Sequence, residues 1–322
     1  MSRFNTREIE LDHAIIEALP HGDKVVNVEK HNASSWASSA RVDVHSADGE
    51  PRAYFLKIFQ TDDAAERAAG EYMSMLEIYN TLPDFAPRPR GYGKFHGQDT
   101  HFFLCDYLTI RHEPPDPVKL GRKLAELHRK SRSPTGKFGF HVTTFDGKLP
   151  LNTKWDNSWT SFSQKLLQDV YQLDVRVNGL WEELDSIMKI TLDKLIPRLL
   201  EPLTSQGRSI KPCLIHGDLW ESNIGTDAST GELYIFDACA YYAHHEKELG
   251  IWRCEHHEMK DTAYRDEYLK NFGPSEPREE LEDRVRLYSV ETLIMNSDHF
   301  PGAETRRLAV EELKYLIAKY LK

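Results

Sequence analysis

The sequence predicts an α+β fold of two lobes, a small mixed lobe over residues 1–109 and a larger, mainly helical lobe over residues 110–322. Three observations predict it. Short runs rich in β-branched and aromatic residues, divided by turn residues, fill most of the first lobe. One amphipathic helix is set among them. Beyond residue 116 helical spacing dominates, interrupted by two apolar runs that each lead to an aspartate.

The elements follow in order. "IELDHAIIEAL", residues 9–19, has a helical apolar pattern that Pro20 and Gly22 interrupt. "KVVNVEKHN" and "SSARVDVHS" read as strands, "ADGEPR" as a hairpin turn and "AYFLKIF" as a third strand. An antiparallel sheet is therefore expected near the N-terminus. Residues 62–80 change to helical texture, with Tyr72, Met75, Leu76 and Tyr79 able to share a face. Gly70 within it suits a close contact. "TLPDFAPRPRGYG" reads as a connection and "THFFLCDYL" as a strand. The next helix starts at Asp116, a capping residue, with Pro117 at its first turn. Leu120, Leu124, Leu127 and His128 then lie near one face, which marks His128 as a packed structural histidine more than a catalytic one. Residues 133–159 read as a long irregular region. Helical spacing resumes from Phe162 to about residue 200 and again in "RVRLYSVETLIMNS" and "ETRRLAVEELKYLIAKYL". No internal repeat is evident.

The formal charge of -10 argues against a broad nucleic-acid surface, and no basic-aromatic platform is evident. Four cysteines, Cys105, Cys213, Cys239 and Cys254, have neither zinc-site nor disulfide-scaffold spacing. The opening residues contain no secretory apolar core, and no run is long enough to span a bilayer. A soluble, cytoplasmic protein with no membrane partner is the expectation.

The functional signal lies in "CLIHGDLWESNIG" and "YIFDACAYY". Asp218 can orient a hydroxyl and accept its proton. Asn223 offers a neutral oxygen, and Asp237 an anionic one, to a shared magnesium ion. Local turn hydrogen bonds explain any one of these residues. The combination of two apolar runs with this spacing favours phosphoryl transfer. His216 reads as a loop-organising residue, since Asp218 suits the base role better. Lys57, inside an apolar strand, is the candidate cation for nucleotide phosphates. Glu71 on the following helix is its candidate partner, with Glu66 and Glu77 as alternatives one helical turn or more away. Ser34, Ser35 and Ser38 can serve a phosphate loop or an ordinary hairpin. "FLCDYL" can offer backbone groups to an adenine ring or be a plain buried strand.

At these residues the chain resembles the fructosamine kinase, or ketosamine-3-kinase, family. "LIHGDLWESNIG" resembles its catalytic segment and "IFDACAYYAHHEKELG" its second aspartate segment. "GKFGFHVTTFDGKLPLNTKWDNSWTSF" and "NSDHF" are further family-like stretches, and "FLKIF" with "AAGEYMSMLEI" looks like the lysine strand and glutamate helix. The resemblance implies a bilobal, protein-kinase-like fold of the aminoglycoside-phosphotransferase type. It implies ATP and Mg2+ as cofactors, and phosphorylation of the sugar 3-hydroxyl of ketosamines, free or on glycated protein amines. The 3-phosphate then destabilises the adduct and releases the amine, a deglycating repair. Carried over residue by residue, Asp218 resembles the base, Asn223 and Asp237 the magnesium pair, Lys57 and Glu71 the phosphate lysine and its partner. Trp220 resembles a pocket tryptophan that can pack on the sugar. Trp155 and Trp159 carry no assigned contact. Two departures stand out. "HNASSW" lacks the glycines of some relatives, and Ala238 stands where relatives often have proline. A related aminoglycoside- or choline-like kinase, and a nucleotide-binding pseudokinase, are the rival readings.

Overall fold

The computed structural model describes residues 11–33, 37–111 and 113–321. It begins with helix α1 (His13–Ala18), capped by the Asp12 side chain on the Ala14 amide. Strands β1 (Lys24–Ala33), β2 (Ala37–His45) and β3 (Pro51–Phe59) come next, followed by helix α2 (Ala64–Thr81). Strands β4 (Pro89–Lys94) and β5 (His101–Asp106) complete an antiparallel five-stranded sheet of order β1-β2-β3-β5-β4. The alternation read in "SSARVDVHS" is the burial alternation of β2, where Ala40, Val42 and Val44 face a core with Ile15, Tyr54, Leu56 and Leu104. β4 falls in the stretch read as a connection. It is an edge strand, where Pro89 removes no central ladder bond.

A two-residue strand β6 (Ile110–Arg111) leads to helix α3 (Pro117–Lys130). The Asp116 carboxylate accepts the Val118 and Lys119 amides, and Pro117 occupies the first turn, as the sequence predicts. A hairpin of β7 (Thr144–Asp146) and β8 (Leu149–Leu151) forms inside the stretch read as irregular. Helices α4 (Trp159–Asn178), α5 (Glu182–Ile190) and α6 (Ile196–Leu200) fill the helical stretch. Four short strands then shape the two functional segments: β9 (Cys213–Ile215), β10 (Ile224–Asp227), β11 (Leu233–Ile235) and β12 (Tyr241–Ala243). β10 pairs with β11 and with β6, and β12 pairs with β9. Helices α7 (Thr262–Phe272), α8 (Leu281–His299) and α9 (Thr305–Tyr320) close the chain.

The larger core is continuous from Met75 and Phe103 beside the sheet to Leu313 and Leu316 in α9. Helix α2 joins the two halves. Gly70 is its contact point: a Cβ there would lie 2.5 Å from the Thr143 carbonyl. Among the described residues no helix is long and apolar enough to cross a membrane.

Candidate active site

A cleft of about 850 Å³ opens between the five-stranded sheet and the functional segments. Its walls include Phe55, Met75, Phe103 and Ile224, and its polar floor includes Lys57, Glu71, Asn223 and Asp237. Cys105, Asp106, Tyr107 and Leu108 border it. The amides of Asp106 and Tyr107 are donated to the Arg88 and Ala53 carbonyls, so neither N–H is offered to the cleft. Ser38 lines the cleft with Ala37 and Ser39. Ser34 and Ser35 lie outside the described residues.

Lys57 sits in β3 opposite Ser39 on one side and Phe103 on the other. Its Nζ lies 2.8 Å from Glu71 Oε2 and 2.5 Å from Asp237 Oδ1. Glu71 is thus the partner that the helix presents. Glu66 is exposed, and Glu77 accepts the Tyr242 hydroxyl at 3.3 Å. Burial would lower the pKa of Lys57, but the charges of Asp237 and Glu71 outweigh it and hold the ammonium above its ordinary range. Glu71 is pushed up to about 7 by burial, with Lys57 opposing and Asp237 adding. Asp237 is held low, its desolvation outweighed by Lys57. It remains 53% exposed, so water screens this pair far more than it would a core pair.

The catalytic-type loop starts where β9 ends. Gly217 has φ +87, and a Cβ there would meet the Cys239 carbonyl at 2.6 Å. That close approach lays the 216–218 turn directly on the segment carrying Asp237. Asp237 itself has φ +60, a left-handed conformation that aspartate tolerates better than most side chains. Asn223 donates Nδ2 to the Asp218 carbonyl at 2.8 Å and to Asp218 Oδ2 at 2.9 Å. The ring of Trp220 lies 5.4 Å from that of His257. Burial raises the Asp218 pKa well above the carboxylate range, and the charges of Asp146 and Asp237 raise it further against the hydrogen bond from Asn223.

The donor set suits a magnesium ion. Asn223 spends its amide nitrogen on Asp218, which leaves the carbonyl oxygen as its ligand atom. Asp237 gives only Oδ1 to Lys57. Both residues line the same cleft, and both offer hard oxygens.

His216 is fully buried and kept neutral by desolvation; Nε2 contacts the Phe236 carbonyl at 3.0 Å and Nδ1 accepts the Asp218 amide at 3.3 Å. It ties the two functional segments together, in line with an organising role. His128 is likewise a core residue, bonded to Tyr268 at 2.8 Å. Glu248 escaped sequence reading. Its carboxylate accepts the amides of His216 at 2.6 Å and Gly217 at 3.0 Å from inside the core. Trp252, also unread, donates to the Leu219 carbonyl at 2.7 Å. His244, His245 and Glu246 cluster closely enough for a metal. Every ring nitrogen is hydrogen-bonded to Tyr288, Tyr268 or Ser275, and Glu246 is paired with Arg284, so the cluster reads as core architecture.

Comparison with known proteins matches residues 21–319 to the model of a family described as fructosamine kinase. The chain is 31% identical over 186 residues to a chloroplastic protein-ribulosamine 3-kinase of Oryza sativa subsp. japonica, covering 58% of this chain and 52% of that one. It is 28% identical over 229 residues to the ketosamine-3-kinase of Mus musculus, covering 64% and 71%. The chain thus spans about half the length of the plant relatives it matches. Among solved structures, a Thermobifida fusca protein provisionally named fructosamine-3-kinase superposes with TM-score 0.73 at 19% identity, over 96% of this chain and 99% of that one. Aminoglycoside phosphotransferase APH(4)-Ia superposes with TM-score 0.62 at 15% identity, over 92% and 94%. These structural likenesses establish the bilobal, aminoglycoside-phosphotransferase-like fold.

Proposed function

This chain belongs to the fructosamine kinase family, and on that premise we propose that it transfers the γ-phosphoryl group of ATP to the sugar 3-hydroxyl of a ketosamine. The observation that carries the reading is the convergence of Lys57, Glu71, Asn223 and Asp237 on one cleft, with Asp218 hydrogen-bonded to Asn223.

In this reading residues 1–109 form the nucleotide lobe and residues 110–322 the catalytic and acceptor lobe. The apolar walls around Phe55, Met75 and Phe103 take the adenine, and Lys57 contacts the phosphates once they replace Asp237 as its partner. Glu71 keeps the ammonium aimed. Asn223 and Asp237 would hold a magnesium ion, which would supply positive charge against the triphosphate. Asp218 orients O3 and receives its proton. A carboxylate raised by burial is a stronger proton acceptor than one in water, and Asn223 fixes its direction. The product, a ketosamine 3-phosphate, breaks down to release the amine, which makes the reaction a deglycating repair. Acceptors are free ketosamines or glycated protein amines, with fructose or ribulose as the sugar. We assign the reaction to the cytoplasm, a reducing compartment that suits four buried, unbridged thiols.

The test is ATP-dependent transfer to fructosyl-lysine and ribulosyl-lysine, followed by product mass and phosphate position. A single phosphoryl group on O3 is the expected product. Transfer to an aminoglycoside or choline with none to either ketosamine would replace this reading with that of a neighbouring kinase. Tight ATP binding with no transfer to any acceptor would make the chain a pseudokinase.

A further inference from the structure

Two family-like stretches, "FGFHVTTFDG" and "NSDHF", have no part in the chemistry above, yet the fold brings them together beside it. Asp146, the last residue of β7, places Oδ1 3.0 Å from Nε2 of His299, the last residue of α8. Gly147 turns with φ +48, and the His299 ring lies 2.7 Å from where its Cβ would be. Any side chain at residue 147 would push the imidazole off Asp146.

The strand geometry aims Asp146. Side chains two apart in a strand share a face. Thr144 sends its hydroxyl to the Cys239 carbonyl at 3.4 Å, and that carbonyl is the group packed on Gly217. Asp146 therefore faces the same side, toward the 216–218 turn. Phe145 points the other way and lies under the Arg67 guanidinium, 4.5 Å from its ring centre. Arg67 donates to the Gly147 and Lys148 carbonyls at 2.5 and 3.0 Å, which fixes the hairpin tip. The negative charge of Asp146 is felt at Asp218, as noted above.

Asp146 is 14% exposed and, among the described residues, pairs with no lysine or arginine. Its Oδ2 has no hydrogen-bond partner among them. The nearby acid Glu221 is already engaged with His257 at 3.6 Å. The fold thus builds a carboxylate anchored on His299, facing the proposed base, with one oxygen open and no lysine or arginine against it among the described residues.

We propose that Asp146, held by His299, is the subsite that binds the cationic amine of the acceptor. This inference rests on the ketosamine reading and deepens it. In a ketosamine, nitrogen and O3 are four covalent bonds apart, about 4–5 Å on standard bond lengths. An alkylamine of lysine type is protonated at neutral pH. A second carboxylate beside the base then reads the charge that distinguishes a ketosamine from a plain ketose, and the amine supplies the missing counter-ion.

The experiment compares two probes, a 1-alkylamino-1-deoxyfructose and the 1-O-alkyl ether of fructose with the same chain, at saturating ATP. The wild-type protein should favour the amine by tenfold or more in kcat/KM. Asp146→Asn should lose most of that preference, mainly through a higher KM for the amine, with the KM for ATP unchanged. A changed Asp218 would alter both probes alike, so the amine-to-ether ratio isolates the contact. A preference that survives intact in a folded Asp146→Asn protein overturns the inference. If that variant does not fold, the wild-type ratio decides, and equal values overturn it. A wild-type protein that phosphorylates neither probe nor any other ketosamine overturns this inference and the broader reading together. Robust transfer to both probes with no preference overturns this inference alone.

Discussion

The cleft side and the core side of the 216–218 turn carry the same residue types in opposite states of pairing. On the core side, Glu248 accepts two backbone amides and lies 3.6 Å from His128 Nε2. Behind it, His128, Tyr268, His245, Ser275, His244 and Tyr288 form an unbroken chain of contacts of 3.1 Å or less. On the other side, Asp237 lines the cleft and is half exposed, and Asp218 is raised by burial and then by the charges of Asp146 and Asp237. The difference separates architecture from chemistry. Buried polar groups that satisfy one another hold the loop still, and groups left incomplete beside a cavity are the ones a substrate completes.

Four substitutions sharpen or break this contrast. Asp218→Asn should have the largest effect, a loss of about 10²- to 10⁴-fold in kcat for ketosamine phosphorylation. Its thermal stability should hold or rise, because a buried negative charge is removed. Formation of the ketosamine phosphate under saturating ATP and a melting scan measure the two quantities. Normal turnover would remove Asp218 from the base role.

Glu248→Ala should act mainly on stability. It strands two backbone amides in the core and should lower the unfolding free energy by about 3 kcal/mol, read from a denaturant curve. A folded Glu248→Ala protein with unchanged stability would show that the core side does not hold the loop.

Lys57→Ala should raise the KM for ATP about tenfold, the size of one charge-assisted hydrogen bond, and leave the KM for the acceptor near its starting value. An effect confined to the acceptor would misplace the phosphate end of the cleft.

The smallest effect is a pH shift. Because burial, and after it the charges of Asp146 and Asp237, raise Asp218, the acid limb of kcat/KM should lie above the ordinary carboxylate range, with activity lost as pH falls through it. Removing one such charge in Asp146→Asn favours the ionised base, so the limb should move to lower pH. An unmoved limb would mean that the two carboxylates do not sense each other.

Much of this was legible in the chain because it is local. The Asp116-Pro117 cap, the alternation of β2 and the spacing of Asp218 and Asn223 are each set by a few adjacent residues. Lys57 stood out as a lone charge in an apolar strand, and its pairing with Glu71 needs only the next helix. The rest depends on chain paths that no window spans. Asp146 meets His299 across 153 residues, and Glu248 meets His216 across 32. The β7–β8 hairpin was hidden for a second reason. Its strands are three residues each, too short for alternation to register, and tertiary contacts from Arg67 and Thr144 hold them. Glycine and proline concealed β4 in the same way, since both residues signal turns and only an edge position accommodates them.

Arg67 and Glu71 are four residues apart on α2, one helical turn along the same face. The first grips the hairpin tip and the second grips Lys57. One face of the helix therefore braces both the Lys57 ammonium and the hairpin that carries Asp146, so a single rigid element sets the spacing between them.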